Sequence, residues 1–117
     1  RVFRDNQILG LLIDQDTKVQ STFVPFFGKP AATPTAAASL ALRKKTPILI
    51  GWLHRTRHGF KPHFERYHYE TTDDTPADVH QITADITARL EFAIREYPEQ
   101  WVWLHKRWKT REKPLNE

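Results

Sequence analysis

Cysteine and methionine are both missing from the 117 residues. Without cysteine the chain has no disulfide framework, which fits a reducing compartment. No apolar run approaches the roughly 18 residues that crossing a bilayer requires, and no signal-peptide pattern opens the chain. Internal repeats and low-complexity tracts are absent as well. The missing methionine bears on Arg1, which stands in a segment that already reads as structured. An initiator methionine is normally trimmed only before a small residue, so a longer parent protein is expected.

What remains is an ordinary globular composition, with 39% hydrophobic and 27% charged residues. Its length allows one domain, expected over residues 1–111 and followed by a polar tail at 112–117. A net charge of +4 favours anionic partners such as nucleic acid, phospholipid or phosphate-bearing substrates.

Ile8 to Ile13 is a continuous apolar run, the pattern of a strand buried on both faces. Residues 33–45 read as a helix with Thr33 as N-cap, Pro34 at the first helical position and a basic end at Arg43, Lys44 and Lys45. Ile48 to Leu53 is a second apolar strand. Strand, crossover helix and strand predict an α/β fold with a partly parallel sheet. A further strand is expected over residues 60–70, near an edge because Pro62 interrupts it. Thr75, Pro76 and Asp78 open a long helix marked by Val79, Ile82, Ile86, Leu90 and Ile94. Pro98 ends it, and a shorter helix with Trp101, Leu104 and Trp108 on one side is expected to follow.

Residues 14–32 form a connection of about twenty residues where a few are usual. It lies at the carboxyl end of a predicted parallel strand, where open α/β sheets place ligands. The stretch opens on Asp14, Gln15 and Asp16 and runs on through Phe23, Pro25, Phe26 and Phe27 to Gly28. An ionised Asp beside a buried strand is costly unless it is hydrogen-bonded or exposed to a site. The plainer alternative makes 22–27 another short strand with its phenylalanines in the core.

Three ordered blocks carry a resemblance: "LGLLIDQD", "FVPFFGKPAATPTAAASLAL" with "PILIGWLHR", and "PEQWVWLHKRWKTR". They resemble the carboxyl-terminal half of the bacterial lipid A biosynthesis acyltransferases, the late lauroyl- or myristoyl-type branch of the lysophospholipid acyltransferase superfamily. The resemblance implies an incomplete acyltransferase-type sandwich from an enzyme at the cytoplasmic face of the inner membrane. Acyl-acyl carrier protein would be the co-substrate, with no other cofactor and no metal. The acceptor would be a hydroxyl on a phosphorylated glycolipid, a lipid A precursor. The family's membrane anchor and its catalytic His-x4-Glu or His-x4-Asp lie in the amino-terminal half, which these blocks do not include, so this chain alone is expected to be inactive.

The chemistry needs a histidine because a lipid hydroxyl must lose its proton as it attacks a thioester. A carboxylate then orients the imidazole, and donors meet the oxyanion. Under the resemblance, Asp14 supports catalysis at the strand end. Substrate binding falls to Gln15, Phe26, Phe27, Gly28, Thr33 and Arg107, the phenylalanines walling the acyl chain or the core beneath it.

His68…Asp73 and His80…Asp85 match the His-x4-Asp spacing literally. Within a helix five residues turn side chains apart by about 140°, which separates the second pair. His54, His58, His63 and His68 lie beside Arg55 and Arg57, which would repel a metal cation, so they read as surface groups near a hairpin. The basic-aromatic cluster from Trp101 to Arg111 admits packing, lipid-interface or nucleic-acid readings. The resemblance favours lipid over nucleic acid. A different class also remains open, a non-enzymatic basic module for anionic lipid or nucleic acid.

Overall fold

Two short turns decide the sheet structure. In the computed structural model, which describes residues 1–114, β1 (Ser21–Phe26) and β2 (Lys29–Pro34) pair antiparallel across Phe27 and Gly28. Both turn residues have positive φ, 50° at Phe27 and 75° at Gly28. Two-residue hairpins favour such turns because their twist matches that of the strands. Glycine adopts this conformation freely, whereas Phe27 is held in it by bonding its N–H to the Glu91 carboxylate. The second hairpin joins β3 (Ile48–Thr56) to β4 (Gly59–Tyr67), in register from Ile48 opposite Tyr67 to Thr56 opposite Gly59.

Between the hairpins runs α1 (Ala36–Lys44), and after them α2 (Thr75–Glu96). A 3-10 turn, Pro98–Gln100, leads into an irregular terminal segment. The Asp74 side chain caps α2 by accepting from the Ala77 N–H at 3.1 Å. Asp78 accepts from the Thr72 N–H and hydroxyl at 2.8 and 2.7 Å, fixing the preceding loop. Two buried threonines of α2, Thr83 and Thr87, donate to carbonyls one turn back and so leave no polar cost in the interior.

The fold is mixed α/β, but the parallel sheet expected from the sequence is not formed among the described residues. Both sheets are two-stranded and antiparallel, and residues 8–13 are extended without a pairing partner. An apolar run signals burial, not the identity of a neighbouring strand. Here Ile13 is buried while Ile8 and Leu12 are exposed. Thr33 is not the cap of α1. It stands in β2, because a residue before proline is pushed into the extended region, and Thr35 takes the N-cap position without a side-chain bond. The short helix expected after Pro98 is also missing. Its place is taken by turn bonds such as Arg107 N–H to the His105 carbonyl, and Leu104 is left exposed.

The core gathers Ile13, Ala38, Ile50, Ile82 and Ile86 from the extended segment, α1, β3 and α2. Helix α2 also meets β1, so it is shared by both hairpins. Two polar contacts lock it to β4. Arg89 forms a forked pair with Glu65, at 2.5 and 2.8 Å, which lowers the glutamate's pKa. The Tyr67 hydroxyl donates to Asp85 at 2.5 Å.

Burial, reinforced by the bond to Asp85, raises the Tyr67 phenol above the ordinary value near 10. The neutral phenol therefore contributes stability that is fully present below pH 10 and is lost as the pH climbs toward the folded-state value. Tyr67→Phe should flatten the alkaline limb of the unfolding profile, measured as the urea midpoint against pH.

Candidate functional site

An apolar cleft of about 620 Å³ separates the extended segment from the free edge of β3 and from α2. Ile8, Leu12, Ile50, Leu90 and Ile94 are among its walls, while Asp14, His54 and Trp101 also line it and give it polar groups. The cleft exists because residues 8–13 run past β3 without closing onto it as a paired strand.

Asp14 follows Ile13 on a bend, half-buried, and its carboxylate accepts from the Trp101 indole at 3.3 Å. Two residues on, Asp16 is buried and takes the Thr110 N–H and hydroxyl at 2.8 and 3.0 Å. The Asp16 N–H donates to His105 Nε2 at 2.9 Å, which identifies that nitrogen as the unprotonated one. Three side chains of the terminal segment thus converge on the turn that ends the extended segment.

Arg107 anchors them. Only 1% exposed, it donates to the Ala32 carbonyl and to Thr33 Oγ1, both at 2.6 Å. Its guanidinium lies 5.2 Å from the Phe26 ring centre. Burial draws its pKa down, and the carboxylates of Asp16 and Asp14 oppose that pull. Arg107, expected to bind substrate, is instead enclosed by strand β2 and the aromatic cluster.

The other residues singled out in the sequence are dispersed by the fold. Gln15 is exposed. Phe26 is buried under Trp101 and Trp108, with ring centres 5.4 and 5.5 Å away. Phe27 lies at the hairpin turn beneath Arg95, 4.7 Å from its guanidinium. Neither phenylalanine lines the cleft, whose walls are aliphatic for the most part. Gly28 has open space where a Cβ would be, so its φ explains it, not a close approach. Thr33 is fully buried and serves Arg107.

Some residues took roles that their spacing did not signal. His54, read as a surface group, is buried and stacked on Tyr97 at 4.2 Å. Its Nδ1 is hydrogen-bonded to His63 Nε2 at 2.7 Å. Asp16 and Thr110 are 94 positions apart, a distance no local pattern reports. The His80…Asp85 pair is separated as helical geometry requires. His80 bonds Thr22, while Asp85 takes Tyr67 and Gln81.

Removing Arg107 would take a donor from the Ala32 carbonyl and from Thr33 Oγ1, which would keep its own bond to the Ala31 carbonyl, and would open a cavity beside Phe26. Arg107→Ala should cost about 3 kcal/mol, from two charge-assisted bonds. Arg107→Lys should recover little, since an ammonium lacks the fork. Urea unfolding with an unchanged m-value is the measurement.

Two phosphatidylinositol mannoside acyltransferases of Mycobacterium tuberculosis, from strains CDC 1551/Oshkosh and ATCC 25618/H37Rv, are each 28% identical to the chain over 107 residues. The matched region is 90% of this chain and 32% of each relative, so the chain spans about a third of their length. The family model for bacterial lipid A biosynthesis acyltransferases matches residues 1–110, and the chain belongs to that family.

Proposed function

We propose that the chain supplies the acyl-binding part of an enzyme that moves a fatty acyl group from acyl carrier protein to a hydroxyl of a phosphorylated glycolipid, at the cytoplasmic face of the inner membrane. In the reaction the hydroxyl oxygen attacks the thioester carbonyl, the C–S bond breaks, and the thiol leaves with the proton lost by the hydroxyl. The observation that carries the reading is an apolar cleft with Asp14 on its wall, in a chain matched to this family over residues 1–110. Hydrocarbon suits the aliphatic walls, since burying apolar surface is the main favourable term in taking up such a ligand. Asp14 places a carboxylate, steadied by Trp101, where the thioester and the attacking hydroxyl would meet.

The acceptor in this reading is a lipid A precursor. The relatives are named for phosphatidylinositol mannoside, and the two acceptors share a hydroxyl on a phosphate-bearing glycolipid. Arg107 contributes by holding β2 and the terminal segment together, so the phosphate must be met by other groups. Among the described residues no helix is long and apolar enough to cross a membrane.

Two measurements test the proposal. Asp14→Ala in the intact enzyme should lower turnover by about a hundredfold or more, since losing a positioning group at the reacting centre has that scale. Folding, followed by circular dichroism, should survive, and near-normal turnover would exclude a part for Asp14 in the reaction. Leu40→Trp, which narrows the cleft, should shift the kcat/KM ratio toward shorter acyl donors. An unchanged ratio would place the acyl chain elsewhere. Assays with both acceptors distinguish a lipid A precursor from a mannosylated phosphoinositide.

A further inference from the structure

The turn at residues 14–16 is held by side chains. Among the described residues, none of these three makes a backbone–backbone hydrogen bond. The Trp101 indole meets the Asp14 carboxylate at 3.3 Å, Thr110 takes the Asp16 carboxylate, and His105 Nε2 takes the Asp16 N–H at 2.9 Å. His105 therefore supplies the one side-chain partner of the turn's backbone. Asp16 is 2% exposed, so an N–H that lost this partner would be left unsatisfied in the interior.

His105 differs from the other two partners in its dependence on charge. An indole N–H or a threonine hydroxyl donates at any ordinary pH, whereas an imidazole nitrogen accepts only while it is unprotonated. In the charged ring both nitrogens are donors, and Nε2–H would be aimed at the Asp16 N–H. The charged groups around the contact are the carboxylates of Asp14 and Asp16 on the turn and the Arg107 guanidinium, which both carboxylates stabilise. Lys106 adjoins His105 and is exposed. Strand β2 offers the Ala32 carbonyl and the Thr33 hydroxyl there, neither of which titrates. A charged imidazole is repelled by the N–H and by Arg107 and drawn to the carboxylates, which rearranges the turn.

We propose that His105 is a positioning residue for Asp14, and that it positions only as the neutral imidazole. Fixing the peptide after Gln15 fixes the direction in which Asp14 leaves the extended segment. Neutral His105 holds the Asp14 carboxylate at the wall of the cleft, and protonation releases the turn and lowers turnover. This role rests on the acyl-transfer reading of Asp14.

Two substitutions in the intact enzyme test it. His105→Gln keeps an acceptor near the Nε2 position without a titrating group, and His105→Phe keeps a ring without an acceptor. His105→Phe should lower kcat by about tenfold or more with the KM for the acyl donor little changed. His105→Gln should recover most of that loss. Titration of any other group in the reaction is common to wild type and His105→Gln, so the ratio of their turnovers isolates His105. The ratio of wild type to His105→Gln should fall by about fivefold between about pH 8 and about pH 5. A ratio flat in pH would overturn the proposal, and it decides alone where circular dichroism shows His105→Phe unfolded. With Asp14→Ala already present, His105→Phe should lower kcat no further, whereas an additive loss would mean that His105 acts elsewhere. Impaired Asp14→Ala beside wild-type turnover in His105→Phe would sink the His105 role alone. Near-normal turnover in Asp14→Ala would overturn that reading and this role together.

Discussion

The buried guanidinium of Arg107 holds together parts of the chain that have no other reason to meet. Its two bonds tie the irregular terminal segment to β2, and its charge rests on the Phe26 ring. Around that anchor the segment sends Trp101 to Asp14, offers His105 Nε2 to the Asp16 N–H, and gives Thr110 to the Asp16 carboxylate. A helix could not have presented these groups in so many directions. The tertiary bonds outweigh whatever helical propensity "WVWLHKRWK" possesses, which is the usual outcome when polar groups in an interior must be satisfied.

The same constraint explains the polar edge of the cleft. Asp14 stays half-buried beside apolar walls because Trp101 donates to it, and Trp101 stays there because it packs on Phe26. Phe26 belongs to a hairpin steadied at its turn by Glu91 and Arg95 of α2. The carboxylate at the edge of the cleft is thus positioned by packing several residues away. The aromatic run after the acidic turn acts as the support for that turn, with aliphatic side chains forming the cleft itself.

Much of the fold was legible where local chemistry decides it. The Ile48–Leu53 run is a strand, and Pro76 stands at the start of a helix whose apolar residues recur at helical period. The plainer alternative for 22–27, a short strand with core phenylalanines, describes β1 at Phe26. Sheet order was not legible. Ile8–Ile13 and Ile48–Leu53 look alike as apolar runs, yet one is unpaired and the other is half of a hairpin. Strand pairing depends on which chain is brought alongside, and composition carries no record of that. At Asp14 the charge beside an apolar run asked for a hydrogen-bond partner, which Trp101 supplies. The burial of Arg107 was not legible, because no local pattern shows the strand and rings that enclose it.

By itself the sequence determined the family, through three ordered blocks of residues, and the local elements that turns, caps and periodicity dictate. Only the tertiary structure decided which apolar residues line a cleft, which arginine is buried, and which hairpin face α2 covers. Those outcomes rest on contacts between distant residues, such as Glu65 with Arg89, 24 positions apart, and Thr33 with Arg107, 74 positions apart. Long-range contacts are set by the balance of burial and hydrogen bonding over the whole chain, and no local stretch contains that balance.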